Sequence, residues 1–197
     1  MSFSAPPLSE QLAHLVFQYR ATGQFAQLRD ELKQVAQRTT PDALVIAAEA
    51  FRDDPAVAAP LYEVIVGAQP HNARAMVILA NAYWLLGTGT EVVADLANRA
   101  IASDPSNRGA WHLWALSESD ARSRTSRWRQ VTERFAGDDL ALASLADNAS
   151  SVAGAEHDYE MLDLSIAAYE SLLSRADVPA QREAVETALR ALRGWKF

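Results

Sequence analysis

Apolar residues recur at three- and four-residue spacing along almost the whole chain, and no β-branched run alternates with period two. Leu12, Leu15, Val16 and Tyr19 share one face of a helix, and Phe25, Leu28, Leu32, Val35 and Ala36 do so after Gly23. The pattern continues through Leu44/Ala47/Ala48/Phe51, Ala58/Leu61/Tyr62/Ile65, Met76/Leu79/Ala80/Tyr83 and Val93/Leu96/Ala97/Ala100/Ile101. It ends with Trp111/Trp114/Ala115, Trp128/Val131/Phe135, Leu142/Leu145/Ala146/Ala149, Leu162/Ile166/Tyr169/Leu173 and Val185/Leu189/Leu192. Each stripe buries one side of a helix against a neighbour. The predicted fold class is all-α.

Prolines and glycines divide the stripes. Pro41, Pro70 and Pro105 stand between segments, where a first turn tolerates them and a helix interior does not. Asp54-Pro55 offers an N-cap with a first-turn proline, and Gly23 and Gly87 stand where a left-handed residue closes a helix. Pro60 falls inside a stripe and predicts a distortion or a late helix start; Gly154 predicts a long loop. The connections are short, so successive helices are expected to be antiparallel neighbours.

These marks repeat. Pro70-His71-Asn72 and Pro105-Ser106-Asn107 are 35 residues apart. The segment between them resembles the tetratricopeptide repeat (TPR), a helix–turn–helix unit of about 34 residues. The resemblance rests on Leu79-Ala80 and Tyr83 in its first helix, Gly87 at that helix's end, Ala100-Ile101 in its second, and the closing Asp104-Pro105. The turn Thr88-Gly89-Thr90 holds the extra residue. Leu12, Leu15, Tyr19, Gly23, Phe25 and Ala36 take similar places earlier, as do Phe51, Tyr62 and Pro70 in a second unit that lacks the turn glycine. Trp111 and Ala115 in a fourth unit, and Leu145-Ala146 and Tyr169 in a fifth, extend the match. The expected organisation is an N-terminal tail over 1–8 and one repeat domain over 9–197. Its units run about 9–41, 42–71, 72–106, 107–138 and 139–178, with a cap at 179–195. The resemblance implies a right-handed α-solenoid of about five antiparallel helix pairs with a C-terminal capping helix.

Composition removes several functions. Among 197 residues, 49% are hydrophobic and 22% charged, too apolar for a disordered chain and too evenly polar for a membrane span. With no cysteine there is no disulfide framework, thiolate metal site or cysteine nucleophile. The net charge of −7 weighs against nucleic acid as a partner. The N-terminal MSFSAPPL lacks the basic and apolar regions of an export signal, and the expected location is the cytoplasm. No Gly-rich phosphate loop, G-x-S-x-G elbow or H-E-x-x-H pair is present, so no catalytic residue, metal or cofactor is assigned and the expectation is a non-enzyme.

Two local clusters each have a functional and a plain alternative. His157 and Glu160 are three apart and on one helix could share a metal ion; the plain alternative is an acidic helix N-terminus favoured by the helix dipole. Arg122, Arg124, Arg127, Arg129 and Arg134 form either a patch for phosphate or acidic groups, or a solvated face balanced by an acidic neighbour. From Phe135 through Ser174 there is no lysine or arginine, and eight acids lie between Asp138 and Glu170.

The TPR resemblance implies a third site, a concave groove lined by the first helix of each pair. Its partner-contacting positions fall in the best unit on Arg74, Val77, Asn81, Trp84 and Leu85. The same register places Phe17 and Arg20 in the first unit, Glu49 and Arg52 in the second, and His112 and Leu116 in the fourth. The candidate partner-binding residues are therefore Arg52, Arg74, Val77, Asn81, Trp84, Leu85 and His112, with the arginines meeting acidic groups and Trp84 facing either groove or core. The lysines of the chaperone-tail clamp are missing. The implied function is a non-catalytic scaffold that binds a peptide segment or partner protein, with no membrane partner. The alternatives are self-assembly into a dimer or stacked array, and a small-ligand or metal-dependent sensor or enzyme using the His157 region.

Overall fold

The computed structural model of the chain describes residues 7–197, and the expected N-terminal tail lies, for residues 1–6, outside the described residues. Among the described residues there is no strand, and eleven α-helices follow one another with short connections. They are α1 (Leu8–Thr22), α2 (Phe25–Gln37), α3 (Pro41–Ala48), α4 (Pro55–Ala68), α5 (Ala73–Leu86), α6 (Thr90–Ser103), α7 (Arg108–Leu116), α8 (Ala121–Arg134), α9 (Asp139–Glu156), α10 (Tyr159–Arg175) and α11 (Pro179–Arg193). A single 3-10 turn, Glu49–Phe51, extends α3. The chain forms two compact units, Met1–Leu113 and Trp114–Phe197, with their boundary inside α7.

The helix ends follow local chemistry. Pro41, Pro55 and Pro179 open α3, α4 and α11, where their missing N–H costs nothing. Asn72, Asp120, Asp138 and Asp158 cap α5, α8, α9 and α10, each side chain accepting from a backbone N–H in the first turn. Gly23 and Gly87 close α1 and α5 at φ 70° and 67°, in the left-handed region where glycine carries no side-chain penalty.

In the first unit α1 packs on α2 and α3, α2 and α3 on α4, α4 on α5, and α5 on α6. Its core joins large residues (Leu12, Leu32, Leu44, Leu61, Tyr62, Ile65, Met76) with buried alanines (Ala48, Ala58, Ala80, Ala97, Ala100). The alanines allow helix axes to approach closely enough for the large side chains to interlock. In the second unit α8 packs on α9, α9 on α10 and α10 on α11. Trp128, from the middle of the arginine-rich α8, is 2% exposed and belongs to this core. Val152, Ala153, Met161, Leu162 and Leu192 join α9, α10 and α11. The buried Ser165 hydroxyl donates to the Ala146 carbonyl at 2.8 Å, a polar tie between α10 and α9.

Three expectations are corrected. Helix α4 starts at Pro55, so Pro60 causes no late start; it is buried inside the helix, where its ring leaves the Ala56 carbonyl without the usual donor. There is no loop around Gly154, because α9 runs unbroken to Glu156. Gly154 is a seat instead: a Cβ there would lie 3.2 Å from the Trp195 ring. Finally, His157 and Glu160 do not share a helix. His157 closes α9 in the left-handed region at φ 54°, and Asp158 caps α10.

Candidate functional site

In the first unit Arg52, Asp53, Arg74, Val77, Ile78, Asn81, Asn107, Arg108 and Gly109 line a hollow of about 750 Å³. Arg74, Val77, Ile78 and Asn81 are spaced i, i+3, i+4, i+7 and so present one face of α5 to it. Arg52 and Asp53 come from the connection after the 3-10 turn, and Asn107, Arg108 and Gly109 from the entry to α7. Four of the seven candidate residues thus meet at one place. Trp84 and Leu85 lie beyond the hollow at the C-terminal end of α5, 37% and 60% exposed, and His112 is half-buried in α7.

A carboxylate organises the arginines. Arg52 donates from Nη1 to Glu49 Oε1 at 2.7 Å, and Arg74 donates from Nη2 to the same oxygen at 2.5 Å. Arg52 also reaches Asp53 at 3.4 Å. The hydrogen bond to Glu49, followed by that to Asp53, raises the Arg52 pKa. Tyr62 lies inward of this cluster, 2% exposed. Among the described residues its hydroxyl is a buried side-chain oxygen with no hydrogen-bond partner. Burial is the main cause of its raised pKa, with Glu49 next, while Arg74 and Arg52 pull it down.

Sequence reasoning missed Asp53, Ile78, Asn107, Arg108 and Gly109. Gly109 occupies the place that Arg74 holds one 35-residue repeat earlier, so the register was available. Its missing side chain lets the start of α7 approach α5 closely, because a Cβ at 109 would lie 3.1 Å from the Val77 side chain. The lining supplies guanidinium, amide and carboxylate groups, and contains no serine, histidine or lysine.

In the other two clusters the side chains make contacts within the chain. Arg122 bonds Glu156 at 2.5 Å and Asp158 at 2.6 Å, and Arg124 donates to Asn148 at 2.7 Å and to the Glu118 carbonyl at 2.9 Å. Arg127 pairs with Glu118 at 2.6 Å, donates to the Trp114 carbonyl at 2.7 Å and lies 4.7 Å over the Trp114 ring. The hydrogen bonds that Arg122 donates to Glu156 and then to Asp158 raise its pKa. These arginines join α8 to its acidic neighbours, while Arg129 is exposed. The His157 ring stacks on Phe197 at 5.2 Å. Among the described residues no group of three or more His, Asp or Glu is placed to hold a metal ion. No helix among them is long and apolar enough to cross a membrane.

No family model matches the sequence, and no curated protein is significantly similar to it. Solved structures are similar in fold. A crystal structure of MamA is 18% identical, with 82% of this chain and 96% of that chain covered at a TM-score of 0.60. TTC0263, a thermophilic TPR protein in Thermus thermophilus, is 16% identical, with 92% and 98% covered at 0.57. PilF of Pseudomonas aeruginosa is 13% identical, with 95% and 93% covered at 0.53. With its paired helices, small-residue crossings and terminal helix, the chain is a TPR-like helical-repeat protein in fold.

Proposed function

We propose that this protein is a non-catalytic interaction scaffold, which binds a peptide segment or partner protein through the groove face of its first unit. The observation that carries the reading is the hollow: Arg52, Arg74, Val77 and Asn81, selected from repeat register, line it together. Its arginines suit acidic side chains, which guanidinium binds bidentately. Asn81 offers both a donor and an acceptor to a peptide backbone. Trp84 and Leu85 add apolar area at the end of the same helix, the usual complement to polar contacts in an interface.

A photo-crosslinking residue placed at Asn81 tests this reading, with one at Ala191 of α11 as the control. The expected result is a specific adduct from position 81, identified by mass spectrometry. Binding of the purified adduct partner should then weaken by tenfold or more, roughly 1.4 kcal/mol, in Arg74→Ala and Asn81→Ala. Unchanged binding by both variants, with intact circular dichroism, overturns the groove assignment.

A further inference from the structure

Glu49 is a half-exposed carboxylate whose one oxygen accepts from both Arg52 and Arg74 of the hollow. The lining itself carries three arginines (Arg52, Arg74 and Arg108) and one acid, Asp53, and Glu49 approaches from beside it. In a chain of net charge −7, this is a local excess of cations. Tyr62, buried and without a hydrogen-bond partner, answers to four nearby charges: Glu49, Arg74, Arg52 and Asp53. A buried hydroxyl left unsatisfied costs free energy until an acceptor reaches it. Solvent-exposed ion pairs contribute little net stability, so one carboxylate can replace another here at small cost.

We infer that Glu49 is an internal stand-in for a partner's acidic side chain, filling a two-arginine seat formed by Arg52 and Arg74 until an acidic peptide segment displaces it. This rests on the groove assignment above and adds to it a built-in competitor for the partner's acidic group. A carboxylate from the partner takes the two guanidinium donors that Glu49 now occupies. Glu49 swings to solvent as the free carboxylate. The competitor lowers apparent affinity by the fraction of time it fills the seat.

The test titrates the full chain with hexaglutamate, acetylated and amidated at its ends, by isothermal calorimetry at low salt. Glu49→Gln should bind about five- to tenfold more tightly than the unaltered protein. Adding Arg52→Ala or Arg74→Ala to that variant should remove the gain. Glu183→Gln in α11 makes the same change in net charge and should match the unaltered protein. Equal binding by Glu49→Gln and the unaltered protein, or an equal gain from Glu183→Gln, overturns the stand-in. If Arg74→Ala still weakens the crosslinked partner in that case, the groove assignment survives alone. No saturable binding of hexaglutamate by Glu49→Gln overturns the acidic-peptide seat.

Discussion

Tyr83 donates its phenolic hydrogen to Glu63 at 2.9 Å, joining α5 to α4, and Lys33 of α2 lies 2.5 Å from the same carboxylate. Tyr169 makes the corresponding bond to Asp147 between α10 and α9. In each compact unit a tyrosine is thus tied to an acid on the preceding helix. Tyr83→Phe is expected to lower unfolding free energy by about 1 kcal/mol, measured by urea denaturation, because the phenyl ring keeps the packing and loses the bond.

The same tyrosines set the alkaline limit. Burial, then the hydrogen bonds to Glu63 and Asp147, raise both phenols well above the ordinary value of 10.0. The unfolded chain therefore releases these protons first as pH rises. The stability they contribute is complete below pH 10 and falls as pH climbs from there towards the folded values. A Tyr83→Phe/Tyr169→Phe double variant should show a shallower alkaline loss than the unaltered protein. Parallel urea-midpoint curves above about pH 10 would refute this.

Asp158 predicts behaviour at the acid end. It caps α10 by accepting from Glu160 and Met161, and it bonds Arg122 at 2.6 Å. Arg122 first, then the backbone N–H of Met161, hold its carboxyl below the usual 3.8. Its stabilising contribution is therefore present above about pH 3.8 and disappears as pH falls through the lower, folded value. Asp158→Asn keeps the cap and loses the charge, so it should be milder at neutral pH than Asp158→Ala. Thermal melts of the two at about pH 7 and about pH 3 check the order.

The Trp195 ring against Gly154 gives a further test. Trp195→Ala should destabilise the second unit by about 1 kcal/mol, since the indole is only partly removed from water. Gly154→Ala sets a helix-propensity gain of up to about 1 kcal/mol against displacement of the ring. Near-ultraviolet circular dichroism should show an altered tryptophan signal for Gly154→Ala even where the urea midpoint barely moves.

Ala80 tests the crossing rule. It is fully buried in α5, and Ala80→Leu should cost about 1–3 kcal/mol through overpacking. A leucine tolerated there without loss of stability would mean that α5 does not depend on close approach at this position.

The elements legible in the sequence are those with local causes. Apolar spacing locates the helices, first-turn prolines open three of them, and Gly23 and Gly87 close two. Gly154 reads as a loop because its reason is Trp195, 41 positions later in the sequence and invisible to any local rule. His157 reads as a helical neighbour of Glu160, yet as a non-glycine residue in the left-handed region it ends α9 and cuts the register between them. At the candidate site, repeat register is enough to bring Arg74, Val77 and Asn81 to one face. It cannot show that Arg52 and Arg74 converge on one oxygen of Glu49, since that depends on side-chain direction rather than position along the helix.

The Ser165 bond to the Ala146 carbonyl has a mechanical consequence. Helix α9 buries Ala141, Ala146, Ala149 and Ala153, which carry no polar atom to fix its position against a neighbour. Moving α10 by one turn, about 5.4 Å, would carry the hydroxyl away from its acceptor and strand it in an apolar setting. Together with the Tyr169 bond to Asp147, that hydroxyl favours one axial register of α10 on α9 over its one-turn neighbours.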